Sequence, residues 1–244
     1  MDMVISQREL NKMLLNACNV FSDDAELLEY KDLVLTLFSL KCVTDIWLSK
    51  YEGYQKQYGD NVELIDERVN QLLNLPEKAN FYNLHSKLND WDNARFIEEA
   101  LYGLEVKNRE KLYGLSKLIN VNAMIRGKEQ SNSIIRQLFD NLAKIELSSE
   151  GDLDVIGNSY EFLIEFFAKK IGKVGVFYTP REVSKLIAEL VEPRENDEIY
   201  DPFCGAGALL VSCSEQIKKQ GDQPRYHGLY GQEESIGASI LARM

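Results

Sequence analysis

The sequence predicts an α + α/β chain: a helical domain over residues 1–150, then the first part of an α/β domain over residues 151–244. Three observations carry this. The first 150 residues place apolar side chains at helical spacing, without a strand-like alternation. Residues Asp201-Pro202-Phe203-Cys204-Gly205-Ala206-Gly207-Ala208-Leu209-Leu210 read as a strand, a glycine turn and a helix. Tyr226-His227-Gly228-Leu229-Tyr230-Gly231-Gln232-Glu233 then reads as a second strand with a carboxylate at its end.

In chain order, Ser22-Asp23-Asp24-Ala25-Glu26 is the first helix start. Leu33, Val34, Leu37, Phe38, Leu40 and Ile46 follow as an apolar stripe. Further helices are expected over Val62–Leu73, ended by Pro76, and over Phe81–Leu88, Asp92–Tyr102, Lys107–Ile119 and Ser131–Ile145. Trp47, Trp91 and Phe139 read as core, the usual place for large aromatic side chains. The polar stretch Glu146–Asp154 is the domain boundary. An amphipathic helix, Val155–Lys170, opens the second part with Phe162, Leu163, Phe166 and Phe167 on its apolar face. The loop Gly172-Lys173-Val174-Gly175 connects it to Phe177-Tyr178-Thr179-Pro180.

Thr179, Pro180 and Glu182 make a capping-box pattern, with Thr179 as N-cap and Pro180 at the first helical position. In the helix that follows, Val183, Leu186, Ile187 and Leu190 are spaced to pack on a sheet. Ile199 and Tyr200 form the strand, which Pro202 ends because it has no N–H to pair. Gly205 and Gly207 allow backbone angles and a close ligand approach that a Cβ would forbid. Helix-forming residues run from Ala206 to a stop at Gly221. Glu233 is placed to accept hydrogen bonds from ribose hydroxyls. Its distance from Gly205, 28 residues, exceeds the roughly 20 usual in dinucleotide-binding units, and Leu210 stands where a third glycine would. A nicotinamide or flavin dinucleotide is therefore disfavoured.

Phe177-Tyr178-Thr179-Pro180, Asp201-Pro202-Phe203-Cys204-Gly205-Ala206-Gly207 and Tyr230-Gly231-Gln232-Glu233 resemble, in this order, the modification subunit of type I restriction–modification systems. Gly157–Leu163 and Glu29–Leu35 extend the resemblance. It implies a Rossmann-like, S-adenosylmethionine-dependent adenine-N6 DNA methyltransferase domain behind a helical N-terminal domain. By position, Phe177, Tyr178, Thr179 and Pro180 would enclose the methionine end of S-adenosylmethionine. Asp201, Cys204, Gly205 and Gly207 would line the turn beneath it, and Glu233 would hold the ribose. The implied partners are a specificity subunit, a restriction subunit and, through the complex, DNA. The family's catalytic Asn-Pro-Pro-aromatic tetrapeptide does not occur in these residues. The chain thus reads as the amino-terminal part of a longer methyltransferase, with no catalytic residue of its own and no activity alone. Later strands of the sheet would be missing, which predicts an exposed apolar edge and self-association or partial disorder.

Composition agrees with a cytoplasmic protein that meets DNA through a partner. The net charge is −11, with 18 basic and 24 acidic residues in residues 1–150 and 10 and 15 in residues 151–244. DNA affinity rests largely on phosphate neutralisation by Lys and Arg, and neither half supplies a basic surface. Arg126-Gly127-Lys128 and Lys169-Lys170 with Lys173 are the local clusters that would touch phosphates. No apolar run approaches the roughly 20 residues of a membrane helix. Cys18, Cys42, Cys204 and Cys213 are scattered and only two histidines accompany them, which argues for reduced thiols rather than zinc. The rival readings are a non-catalytic assembly module, a stand-alone adenine methyltransferase and a dinucleotide oxidoreductase.

Overall fold

A computed structural model describes residues 5–71, 73–88, 92–125, 131–147, 153–171, 179–221, 228–234, 238–239 and 242–243. Its contacts divide the chain into two units, Met1–Lys170 and Ile171–Met244.

The first unit is helical throughout its described residues. Helix α1, Gln7–Cys18, is capped by Ser6, whose hydroxyl accepts from the Glu9 N–H, and it buries Leu10, Leu14, Ala17 and Cys18. The reading that begins at Ser22 missed this helix, although Ser6 and Glu9 carry the start signal. Helix α2, Asp24–Glu29, starts as expected: the Asp23 carboxylate accepts from the Glu26 N–H at 2.8 Å, and Glu26 accepts from the Ser22 N–H. Helix α3, Lys31–Tyr58, spans about 42 Å at the usual rise per residue. Residues 33–42 are buried on every side, so the expected stripe is a complete cylinder at the centre of the unit.

Helix α4, Val62–Val69, packs against α3, and a single tight turn at Glu77–Ala79 follows Pro76. Helices α5, Phe81–Lys87, and α6, Asn93–Lys107, come next. The single helix expected over Lys107–Ile119 is instead broken into α7, Arg109–Leu112, and α8, Leu115–Leu118, with α9 at Val121–Ile125. Two side chains explain the break. Asn108 donates to the carbonyls of Leu104 and Asn74, and Glu105 accepts from the N–H groups of Gly114 and Ser116. Gly114 takes a left-handed conformation, φ 94°, that ends helical continuity. Helix α10, Ser131–Ala143, and helix α11, Leu153–Ile171, complete this part of the chain. Phe139 is fully buried, Trp47 is half-buried, and Trp91 lies outside the described residues.

A polar cluster sits inside this core. Lys41 is 0% exposed and pairs with Asp45 one helical turn on, while also donating to the Ile145 carbonyl. Asp45 accepts further from the Tyr82 hydroxyl at 2.9 Å and the Leu147 N–H at 3.3 Å. The cluster therefore fastens α3 to α5 and to the segment leaving α10. Burial, its strongest influence, raises the Asp45 carboxyl above its ordinary range, against the opposing pull of Lys41, Tyr82 and Leu147. The α11 helix is tied to α1 by Gln7, which donates to the buried Ser159 hydroxyl at 2.6 Å. Lys170 pairs with Asp24 and Lys169 with Glu165, so two of the cations proposed for phosphate contact are engaged within the protein. Residues 126–128 and Lys173 lie outside the described residues.

The second unit begins with helix α12, Arg181–Val191, followed by strand β1, Ile199–Asp201, helix α13, Ala208–Lys219, and strand β2, Leu229–Gly231. The strands pair in parallel, with Ile199 opposite Leu229 and Asp201 opposite Gly231. Among the described residues these two short strands are the only sheet, a single parallel pair joined through α13, and they do not establish the Rossmann-like sheet that was expected. The capping box at Thr179 does not form. Pro180 is itself the N-cap, its carbonyl accepts from Val183 and Ser184, and the helix starts one residue later than expected. The packing of α12 also differs from expectation. Ser184 and Ala188 are its buried residues, and Ser184 receives a hydrogen bond from Ser212 of α13 at 3.1 Å. Small side chains let the two helices approach closely. Val183, Leu186, Ile187, Leu190 and Val191 are left exposed, because a two-stranded sheet presents little face to cover them. Helix α13 starts two residues later than Ala206, and Gly221, at φ 86°, stops it as expected.

Candidate cofactor site

Between β1 and α13 the chain makes the glycine turn, and the end of β2 is laced to it. The Gln232 N–H donates to the Asp201 carbonyl at 2.9 Å, and the Cys204 N–H donates to the Gln232 carbonyl at 3.0 Å. A third bond uses a side chain: the Gly205 N–H donates to Glu233 Oε2 at 3.0 Å. Within the turn, Asp201 Oδ1 accepts from the Phe203 N–H at 3.0 Å, and the Gly207 N–H donates to the Cys204 carbonyl at 2.8 Å. Asp201, Cys204, Gly205, Gly207 and Glu233 are thus brought together by these bonds.

Gly205 and Gly207 have φ of 55° and 89°, conformations that L side chains resist. A Cβ at Gly205 would meet nothing within 4 Å. Backbone angle, not crowding, selects glycine there, and the space beside the turn is open. Gly231 is the opposite case. A Cβ on it would come within 2.7 Å of Cys204 Sγ and 3.2 Å of Leu210 Cδ1. Gly231 therefore lets β2 close onto the turn. It and Gln232 had been read only as part of the strand motif. Their role depends on the parallel register, which places Gly231 beside Asp201.

The electrostatics are distinctive. Asp201 Oδ2 is buried and has no hydrogen-bond partner among the described residues. Such an atom is costly to desolvate unless something donates to it. Burial, then the nearby Asp201 and Glu233 carboxylates, push the Cys204 thiol upward, so it remains a protonated, inert group. Phe203 projects from the turn with 87% of its surface exposed, and the Tyr200 hydroxyl donates to Gln232 Oε1 at 2.8 Å. Thr179 and Pro180 lead into α12, and no hydrogen bond joins them to the turn among the described residues. Phe177 and Tyr178 lie outside the described residues. The described residues contain no group of His, Cys, Asp and Glu arranged to hold a metal, and no helix long and apolar enough to cross a membrane.

Comparison with known proteins bears on both units. Residues 10–142 match the family described as the HsdM N-terminal domain, and residues 151–244 match the N-6 DNA methylase family. The MjaVIII methylase subunit of a type I restriction enzyme from Methanocaldococcus jannaschii is 36% identical over 221 residues, 88% of this chain and 37% of that protein. The MpnII methylase subunit from Mycoplasma pneumoniae is 28% identical over 72% of this chain and 33% of its own length. The fold resembles the crystal structure of a type I restriction–modification methyltransferase subunit from Streptococcus thermophilus, with a TM-score of 0.74 and 23% identity, covering 98% of this chain and 55% of that one. The chain spans little more than a third of the length of the curated relatives it matches. The laced glycine turn, the helical unit before it and these two family matches together show that the chain belongs to the methylase subunits of type I restriction enzymes.

Proposed function

We propose that this chain supplies the S-adenosylmethionine-binding half of an adenine-N6 DNA methyltransferase within a type I restriction–modification complex. The observation that carries the reading is the turn at Asp201–Gly207, laced to Glu233 and bearing a buried carboxylate oxygen without a partner among the described residues. The residues present suit this cofactor. Glu233, at the end of β2, is placed to accept from ribose hydroxyls. Asp201 offers an acceptor to the cofactor's ammonium group, and Gly205 leaves open space beside the backbone. Thr179 and Pro180, with Phe177 and Tyr178 before them, are assigned to enclosing the methionine end.

When bound, S-adenosylmethionine supplies an activated methyl group. The work of this chain is to bind and orient. Adenine N6 is a weak nucleophile, so transfer depends on alignment with the methyl group and on a base extruded from the duplex. The Asn-Pro-Pro-aromatic tetrapeptide that performs this positioning in the family is not among the 244 residues. We therefore assign cofactor binding to this chain and no methyl transfer to it alone. The acidic balance fits a division of labour in which a specificity subunit reads DNA and a restriction subunit completes the complex. The domain limits 1–150 and 151–244 form part of this proposal. In space, α11 groups with the helical unit.

An assembly module is the second reading. It is favoured by the exposed apolar face of α12, from Val183 to Val191, which is also where self-association would begin. Thermal unfolding with S-adenosylmethionine, and with NAD in parallel, separates the two. Ligand at a hundred times its Kd adds about 2.7 kcal/mol, a rise of several degrees in Tm. A rise with S-adenosylmethionine alone is expected. A rise with NAD alone, or none with either, would sink the cofactor reading.

A further inference from the structure

We propose that Glu233 is a positioning residue for the glycine turn as well as a ligand contact, holding the turn in shape before any cofactor arrives. The ligand half of this statement rests on the cofactor reading above; the turn half does not.

Among the described residues, three hydrogen bonds stand between the end of β2 and the turn, and they differ in kind. The two between Gln232, Asp201 and Cys204 run backbone to backbone, so neither uses the side chain at position 233. The bond from the Gly205 N–H reaches a carboxylate oxygen of Glu233 and exists only while residue 233 carries an acceptor of the right length. It is also the only one of the three with an ionised acceptor, which makes it the stronger kind.

The turn needs that bond. Gly205 and Gly207 both occupy left-handed conformations, and glycine loses more conformational freedom on ordering than any other residue. Among the described residues nothing lies within 4 Å of a Cβ placed on Gly205. Hydrogen bonds do reach the turn, and one of them is set by Glu233. A carboxylate has two oxygens and about four acceptor positions, so accepting from Gly205 is compatible with accepting from ribose hydroxyls as well. A single side chain then couples the shape of the turn to the occupancy of the site. Part of the ordering cost of binding is met in the free protein.

The test compares wild type, Glu233→Ala and Glu233→Gln as full chains. Hydrogen–deuterium exchange over residues 203–210 is followed without ligand, and S-adenosylmethionine affinity is measured by calorimetry. Amides of residues 213–217 in α13, a largely buried stretch of the same unit outside the turn, report that its folding is intact. In Glu233→Ala the ligand-free turn should exchange several-fold faster. Glu233→Gln, whose amide oxygen still accepts from Gly205, should restore protection while leaving affinity about tenfold weaker, the cost of replacing a charged acceptor by a neutral one. If Glu233→Ala unfolds the second unit, Glu233→Asp, one methylene shorter, makes the same comparison. Affinity lost in Glu233→Ala with ligand-free exchange unchanged would overturn the proposal and leave the cofactor reading in place. Faster exchange in a protein whose wild type binds no S-adenosylmethionine would support the turn-holding role and end the cofactor reading.

Discussion

Asp45 in the helical unit is buried, Asp201 in the second unit is half-buried with one oxygen enclosed, and the two are treated differently. Asp45 in the helical unit accepts from Lys41, Tyr82 and Leu147, and both of its oxygens are engaged. Asp201 in the second unit accepts from its neighbour Phe203 through one oxygen and keeps the other buried without a partner among the described residues. The first arrangement is a fastener: beside the Lys41 pair within α3, its oxygens reach Tyr82 of α5 and the Leu147 N–H beyond α10. The second keeps acceptor capacity in reserve, which is what the proposed cofactor site would use. The two carboxylates differ in how their lone pairs are engaged.

The comparison is broken most forcefully at Lys41. Lys41→Met leaves the Asp45 carboxylate buried without its counter-ion and should cost about 3–5 kcal/mol in denaturant unfolding, while Lys41→Met/Asp45→Leu should recover most of it. The single variant should also be sensitive to pH. Burial raises the Asp45 carboxyl, and removing Lys41 raises it further, so the folded state binds a proton before the unfolded chain does. The deficit is then full at neutral pH and shrinks as pH falls through the raised folded value toward the ordinary carboxylate range. A deficit that grows on acidification would show that Asp45 is not the group left uncompensated.

A smaller effect is expected at Gly231. An added methyl would meet Cys204 Sγ at 2.7 Å and Leu210 Cδ1 at 3.2 Å, so Gly231→Ala should cost about 1–3 kcal/mol and weaken cofactor binding. Gly103, inside α6 with nothing within 4 Å of its Cβ position, is the control, since alanine there should stabilise by about 0.5–1 kcal/mol. Equal responses at both glycines would remove the close-packing argument. The smallest loss of stability is expected at Asp201. Asp201→Asn keeps one acceptor oxygen for Phe203 and replaces the charged second oxygen by an NH2 donor, so Tm should move by the equivalent of about 1–2 kcal/mol while S-adenosylmethionine affinity falls. A large loss of stability with affinity unchanged would make Asp201 a fastener like Asp45.

Much of the candidate site was legible because its chemistry is local. Pro202 ends a strand, Gly205 and Gly207 turn the chain, and Gly221 stops the helix, each through preferences of a few neighbouring residues. The helical unit was legible from apolar spacing, except where side chains intervened. Asn108 and Glu105 compete with backbone bonding and break the helix expected over Lys107–Ile119. At α12 the apolar pattern was real but misread. Periodicity identifies a helix with an apolar face and says nothing of what lies against it, and here the small residues Ser184 and Ala188 face α13 instead.

By itself, then, the sequence determined the strand–turn–helix, the carboxylate at the end of the second strand, the helical character of the first 150 residues and the family resemblance. Each is written in short runs of residues whose backbone preferences act over a few positions. The tertiary structure alone decided which acceptors are used up and which are kept. It joined Lys41 to the Ile145 carbonyl, closed Gly231 onto Cys204, tied the Gly205 N–H to Glu233 and left Asp201 Oδ2 without a partner among the described residues. Those outcomes depend on register and packing between segments far apart in the chain, where a shift of one residue redirects every donor and side chain.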